Sequence, residues 1–162
     1  MLSSQEYLIE RIKPQNAYRD ETSLYKKIGY QQRKFKLLLC NVAEVYYFNL
    51  IFSDRNNCSH YFTVDILKED WLSRDENYLC MDISYCDVLQ IDILSTDDLI
   101  RKISNKFNKF SLIGILNNQK FKKIYKLLKK YKYIKRKNPD IGELSYIVTR
   151  KMANTFIKKY NI

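Results

Sequence analysis

The chain has 162 residues, a formal net charge of +11 and 46% hydrophobic residues, enough apolar material for a folded interior of one medium domain or two small ones. Three Gly and two Pro exclude a loop-rich or low-complexity protein. Four cysteines at irregular positions (Cys40, Cys58, Cys80, Cys86) exclude a disulfide scaffold, so reduced thiols are expected.

The charge is segregated. Residues 1–53 carry eight basic and five acidic side chains, net +3, whereas residues 54–98 carry three and eleven, net −8. Residues 99–162 carry eighteen basic and two acidic, net +16, and the stretch 101–137 holds fourteen Lys or Arg with no Asp or Glu. The acidic segment is expected to be a solvated face, a shield for the basic half or a surface for a basic partner. No apolar run approaches the ~20 residues of a spanning helix, and MLSSQEYLIERIK has early acids and no hydrophobic signal core. An intracellular protein, cytoplasmic or nuclear, with no membrane partner is therefore expected.

In chain order, Ser3-Ser4-Gln5-Glu6 reads as a capping box for a short helix ending at Lys13-Pro14. Asp20 caps a second predicted helix with Leu24, Ile28, Phe35, Leu38, Leu39 and Val42 as its apolar positions, interrupted by Gly29. Its basic face (Lys26, Lys27, Arg33, Lys34, Lys36) is expected to be solvated. EVYYFNLIF (44–52) and HYFTVDIL (60–67) are rich in aromatic and β-branched residues and flank the turn-forming SDRNNCS. They predict a β-hairpin, with one long helix through residue 52 as the alternative, since periodicity alone is ambiguous here. YLCMDISY (78–85) and DVLQIDIL (87–94) are two further strand candidates, which would complete a small antiparallel sheet. The acidic connector between the two pairs carries Trp71, expected to be a half-buried anchor.

Ser95 caps a predicted helix with Leu99, Ile100, Ile103 and Phe107 as its stripe. A short apolar segment, 112–116, is closed by Asn117-Asn118. QKFKKIYKLLKKY (119–131) follows. On a helix advancing ~100° per residue, Lys122, Lys123, Lys126, Lys129 and Lys130 fall in one ~120° sector, opposite Phe121, Ile124, Tyr125, Leu128 and Tyr131. Such a helix docks its apolar stripe and presents ammonium groups outward, an arrangement suited to a phosphate backbone and its condensed counterions. Beyond it lie Tyr133 to Lys137, a turn at Asn138-Pro139-Asp140-Ile141-Gly142, the alternating Leu144, Tyr146 and Val148, and a last helix capped by Thr149.

The run LLKKYKYIKRK, then ELSYIVTRKMANTFIKKY, in the order helix, short helix, basic helix, two-stranded wing, closing helix, resembles the winged helix-turn-helix superfamily over about residues 95–160. Together with the elements read above, the expectation is an α+β protein: N-terminal helices with a small antiparallel sheet over 1–94, an interaction or dimerisation region, followed over 95–162 by the C-terminal winged-helix domain that the resemblance implies. The resemblance makes residues 119–130 a recognition helix in the major groove, with Lys135, Arg136 and Lys137 on the wing. The expected nucleic-acid contacts are then Gln119, Lys120, Lys122, Lys123, Lys126, Lys129, Lys130, Lys135, Arg136 and Lys137. Abundant Lys and a single amide point to phosphate attraction more than base reading.

Catalytic chemistry is not expected. His60 is the one histidine, and no GxSxG, P-loop or GxGxxG occurs. Cys58, His60, Cys80 and Cys86 are zinc-competent, but their spacing matches no C-x2–4-C pattern, so neither metal nor cofactor is expected. The expectation is a duplex-DNA-binding regulator or a replication or mobile-element accessory factor. The alternatives are an RNA- or ribonucleoprotein-associated subunit and a protein-interaction module such as a complex subunit or phage-type inhibitor. A homodimer or protein partner would use the N-terminal region.

Overall fold

The computed structural model describes residues 9–22, 32–59, 61–76, 78–105 and 108–137. They form seven strands, β1 (Asn16–Thr22), β2 (Gln32–Val42), β3 (Val45–Phe52), β4 (Thr63–Leu67), β5 (Trp71–Arg74), β6 (Ile83–Ser95) and β7 (Asn108–Leu116), and two α-helices, α1 (Thr96–Ser104) and α2 (Asn118–Lys137). All seven strands share one sheet in the order β4-β6-β3-β2-β1-β7-β5, each neighbouring pair antiparallel. The two edge strands, β4 and β5, are joined by only the 3-10 turn Lys68–Asp70. A three-residue link between opposite edges requires the sheet to curl on itself, and the result is a half-barrel.

The curl creates two unequal faces. Residues from both edges (Val64, Ile66, Trp71) and from the middle of the sheet (Ala17, Leu37, Leu39) share one buried cluster with Phe121, Ile124, Tyr125 and Leu128 of α2. The helix therefore lies in the concave side, filling the barrel interior. The Tyr125 hydroxyl donates to the carbonyl of Leu39, located where the β2–β3 register shifts between Leu38 and Cys40. A bulge takes a carbonyl out of the ladder, and here the helix satisfies it. The convex face carries a second cluster, Tyr18, Leu38, Tyr46 and Phe48, covered by Leu99 and Ile103 of α1.

Several sequence expectations are corrected. The N-terminal helix expected after Asp20 is instead the strands β1 and β2, for the residues described; residues 23–31 lie outside them. In β2, Phe35, Leu37 and Leu39 face the interior, while on the other face Leu38 packs with Leu99 of α1 and Lys36 is buried between Asp20 and Asp92, so both faces are covered and the period-2 signal is lost. The expected hairpin between 44–52 and 60–67 does not pair: β6 lies between β3 and β4. The two strands expected over 78–94 are one, β6, which pairs β4 with one end and β3 along most of its length. The segment 112–116, expected to be a short helix, belongs to strand β7, flanked by β1 and β5.

There is consequently no winged-helix domain following N-terminal helices. Strands from both sides of residue 94 share one sheet, and Lys135, Arg136 and Lys137 continue α2 instead of forming a wing. The expected second wing strand and closing helix lie outside the described residues.

Two local features explain why the hairpin β2–β3 was hidden. Its turn residues Ala43 and Glu44 have φ of 50° and 64°, the double left-handed geometry of a type I′ turn, without the Asn-Gly that usually announces it. The Glu44 carbonyl accepts from both the backbone N–H and the hydroxyl of Thr96, each at 2.9 Å, so the turn is tied to the start of α1. Ser95 caps that helix as its sequence predicts, its hydroxyl accepting from the Asp98 N–H at 3.1 Å.

Gly114 on β7 is where the backbone approaches an indole. A Cβ there would lie 2.8 Å from Trp71 Cε3 and 3.0 Å from the Ser73 carbonyl oxygen. Trp71 is buried, with the Tyr78 ring edge-on to it at 6.1 Å. Gly114→Ala is expected to cost about 1–3 kcal/mol by overpacking. Urea denaturation followed by Trp71 fluorescence measures it, and an unchanged midpoint would show that the indole can move.

Candidate nucleic-acid interface

The Lys-rich helix begins with a cap. Asn117 Oδ1 accepts from the Lys120 N–H at 2.8 Å, which explains why a helix with no acid in its first turn starts here. The Asp70 carboxylate, in the link between the sheet edges, supplies the missing negative charge. It accepts from the Leu67 N–H at 2.7 Å and Asn117 Nδ2 at 3.3 Å, and sits 3.2 Å from Lys120 Nζ. One carboxylate thus joins the curl of the sheet to the docking of the helix.

The apolar stripe Phe121, Ile124, Tyr125 and Leu128 is buried, as expected from its spacing. Its two rings, Phe121 and Tyr125, meet edge to face at 4.8 Å. With that stripe turned inward, Gln119, Lys122, Lys123, Lys126, Lys129 and Lys130 are exposed. No carboxylate among the described residues pairs with these five lysines. Lys120 differs: it is half-buried and held by Asp70. Lys122, Lys126 and Lys130 follow one another at about 6 Å along the axis, from 1.5 Å of rise per residue. Lys135, Arg136 and Lys137 extend the same helix by its backbone.

Beside this row is a residue the sequence did not single out. The 3-10 turn Arg55–Asn57 brings Arg55 to a cleft of about 370 Å³ lined by Thr63, Val64 and Asp65 of β4 and by Lys120 and Lys123 of α2. Arg55 lies in the acidic segment, more than sixty residues from α2 in sequence. Only the packing of α2 against β4 makes them neighbours.

A second charged cluster has a buried centre. Lys36, with no side-chain exposure, places Nζ 2.7 Å from both Asp20 and Asp92 and 5.2 Å from the centre of the Phe48 ring. Lys34 reaches Asp92 at 3.4 Å. Lys102 of α1 lies 3.2 Å from the other Asp20 oxygen, near enough for an ion contact though not aligned for a hydrogen bond. Burial pushes the Asp92 carboxyl up, but the charge and hydrogen bond of Lys36, then Lys34, outweigh it and hold the group below its usual range. This cluster ties β1, β2, β6 and α1 together, and the burial of Lys36 and Asp20 at its centre gives it a structural role. The expected solvated basic face thus loses Lys36 to the interior.

No protein-family model matches this chain, and no curated protein sequence matches it.

Cys86 is buried, Cys58 half-buried and Cys80 exposed, while His60 lies outside the described residues. Burial, then the Asp87 charge, push both the Cys58 and Cys86 thiols up, away from the thiolate form a nucleophile or metal ligand needs. Among the described residues no group of three His, Cys, Asp or Glu is placed to hold a metal ion. No described helix is long and apolar enough to cross a membrane.

Proposed function

We propose that this chain is a non-catalytic nucleic-acid-binding protein that holds the phosphate backbone along the outward flank of α2. The observation that carries this reading is the exposed row Lys122, Lys123, Lys126, Lys129 and Lys130, unanswered by any carboxylate among the described residues, on a helix whose opposite side is locked into a barrel. A row fixed to a rigid scaffold loses less conformational freedom on binding than the same charges on a tail. In the described sheet-and-helix fold these residues lie on a helix packed into a curled sheet, without the recognition-helix setting of a winged-helix domain. Ammonium groups without an arginine fork favour backbone contact over discrimination between bases.

Fluorescence anisotropy with labelled duplex and single-stranded oligonucleotides at varied salt tests the reading. Five neutralised phosphates predict a log–log slope of about −4 to −5 on duplex and about −3.5 on single strands, with little sequence preference. Affinity indifferent to salt, or no binding at low salt, would overturn it.

A further inference from the structure

The cleft between α2 and β4, an edge strand of the described sheet, has the features of a site for one anionic group. Three cations reach it from two separate parts of the fold, Arg55 from the 3-10 turn and Lys120 and Lys123 from the helix, with one lining carboxylate, Asp65, and with Asp70 behind it at 3.2 Å from the Lys120 ammonium. The Asp65 carboxylate lies 3.4 Å from an Arg55 guanidinium nitrogen, and the guanidinium carbon stands 5.9 Å from the Tyr85 ring centre. Both contacts orient the arginine.

The turn carrying Arg55 is itself held from below. Asp54 caps it, accepting from the Asn56 N–H at 2.9 Å. Gln90 Nε2 donates to the Asn57 carbonyl at 2.9 Å. The buried Asp87 carboxylate accepts from both the Ser59 N–H at 2.8 Å and its hydroxyl at 2.7 Å. A cation on a fixed turn binds an anion without first ordering a loop.

The sheet edge adds donors. The Phe62 carbonyl accepts from the Val88 N–H, and the Lys68 N–H donates to the Asp82 carbonyl, so even-numbered residues of β4 turn their backbone toward β6. By antiparallel alternation, Thr63 and Asp65, which line the cleft, turn their N–H groups away from β6.

We propose that this cleft is a phosphate seat, in which Arg55, Lys120 and Lys123 hold one phosphate group of a polynucleotide whose next phosphates follow the Lys122–Lys130 row. The proposal rests on the nucleic-acid reading of α2 and adds to it a residue from the acidic segment. An arginine brings what the lysine row lacks, a planar fork matched to two phosphate oxygens. The phosphate is either an internal diester or a strand terminus, and the experiment separates them.

Two measurements on the full chain decide it. The first is a titration with inorganic phosphate followed by NMR at the Arg55 Nε–H and the Asp65 amide. The second compares wild type, Arg55→Gln and the triple variant Lys122→Glu, Lys126→Glu, Lys129→Glu on oligonucleotides with a 5′-phosphate or a 5′-hydroxyl. Phosphate is expected to move both signals in wild type and to leave the Asp65 amide unmoved in Arg55→Gln. That variant is also expected to bind strands about 5- to 20-fold more weakly, the loss of one charge-assisted contact.

A gain from the 5′-phosphate that disappears in Arg55→Gln identifies a strand end; equal binding of both oligonucleotides identifies an internal diester. The seat is overturned if phosphate leaves the Arg55 and Asp65 signals unmoved, whether or not Arg55→Gln weakens strand binding, since a general loss of charge would explain the weakening. It is also overturned if a glutamate-rich peptide competes as well as the oligonucleotide. Loss of strand binding in the triple variant would then leave the helix reading standing. Conversely, signals that move with phosphate in a protein that binds no strand keep the seat and remove the helix reading.

Discussion

Lys36→Met is expected to remove about 3–5 kcal/mol of folding stability, the usual consequence of breaking a buried ion cluster on one side only. The ammonium group is fully enclosed and touches two carboxylates at 2.7 Å, one of which, Asp20, is itself only 4% exposed. Without it, Asp20 and Asp92 keep only the longer contacts to Lys102 and Lys34, at 3.2 and 3.4 Å. Pairing the change with Asp20→Asn removes one of the orphaned charges, and the double variant is expected to recover a good part of the loss. Urea denaturation of the single and double variants measures both, and a single-variant cost below about 1 kcal/mol would show that water reaches the cluster.

The same cluster makes stability depend on acid. The folded-state pKa of Asp92 lies below its usual 3.8, so the folded state binds a proton less readily than the unfolded chain. Its contribution is complete above the usual carboxylate range and disappears as the pH falls through that range toward the lowered folded value. In Lys36→Met, the cation chiefly responsible for the lowering is gone, so this part of the acid sensitivity is expected to fade. Denaturation midpoints measured from neutral pH down to about 3 follow it.

Lys122→Glu, Lys126→Glu and Lys129→Glu together are expected to weaken oligonucleotide binding at least 100-fold near 0.1 M salt and to flatten the duplex salt slope by about 2.7, three phosphate contacts at ~0.9 each. All three side chains are exposed and without described carboxylate partners, so the fold is expected to survive, with each change within about ±0.5 kcal/mol. Lys109→Glu, an exposed charge reversal on β7, is the control for net charge. Equal effects from one reversal there and three on α2 would mean that the protein attracts polyanions by overall charge, with no dedicated face.

The helix was legible because its information is local. The stripe Phe121, Ile124, Tyr125, Leu128 and the opposing lysines repeat at helical spacing, and any docking of that stripe turns the lysines outward. Ser95 as a helix cap was legible for the same reason. The hairpin turn at Ala43-Glu44 was not, because its left-handed residues are ones that rarely adopt that geometry and are held by a contact from Thr96. Strand β2 was not, since covering both of its faces replaces alternation with a continuous run, Lys36 to Cys40, all buried.

From the amino-acid order alone came the segregation of charge and the two-sided character of the basic helix, properties set between residues three or four apart. The half-barrel, the burial of Lys36 between two carboxylates and the meeting of Arg55 with Lys123 came only from tertiary structure. Each depends on strands paired out of chain order, where β6 lies between β3 and β4, and on a three-residue link that draws opposite edges of the sheet together. Such pairings are chosen by the burial of the whole sheet, a collective free energy that no short window of sequence contains.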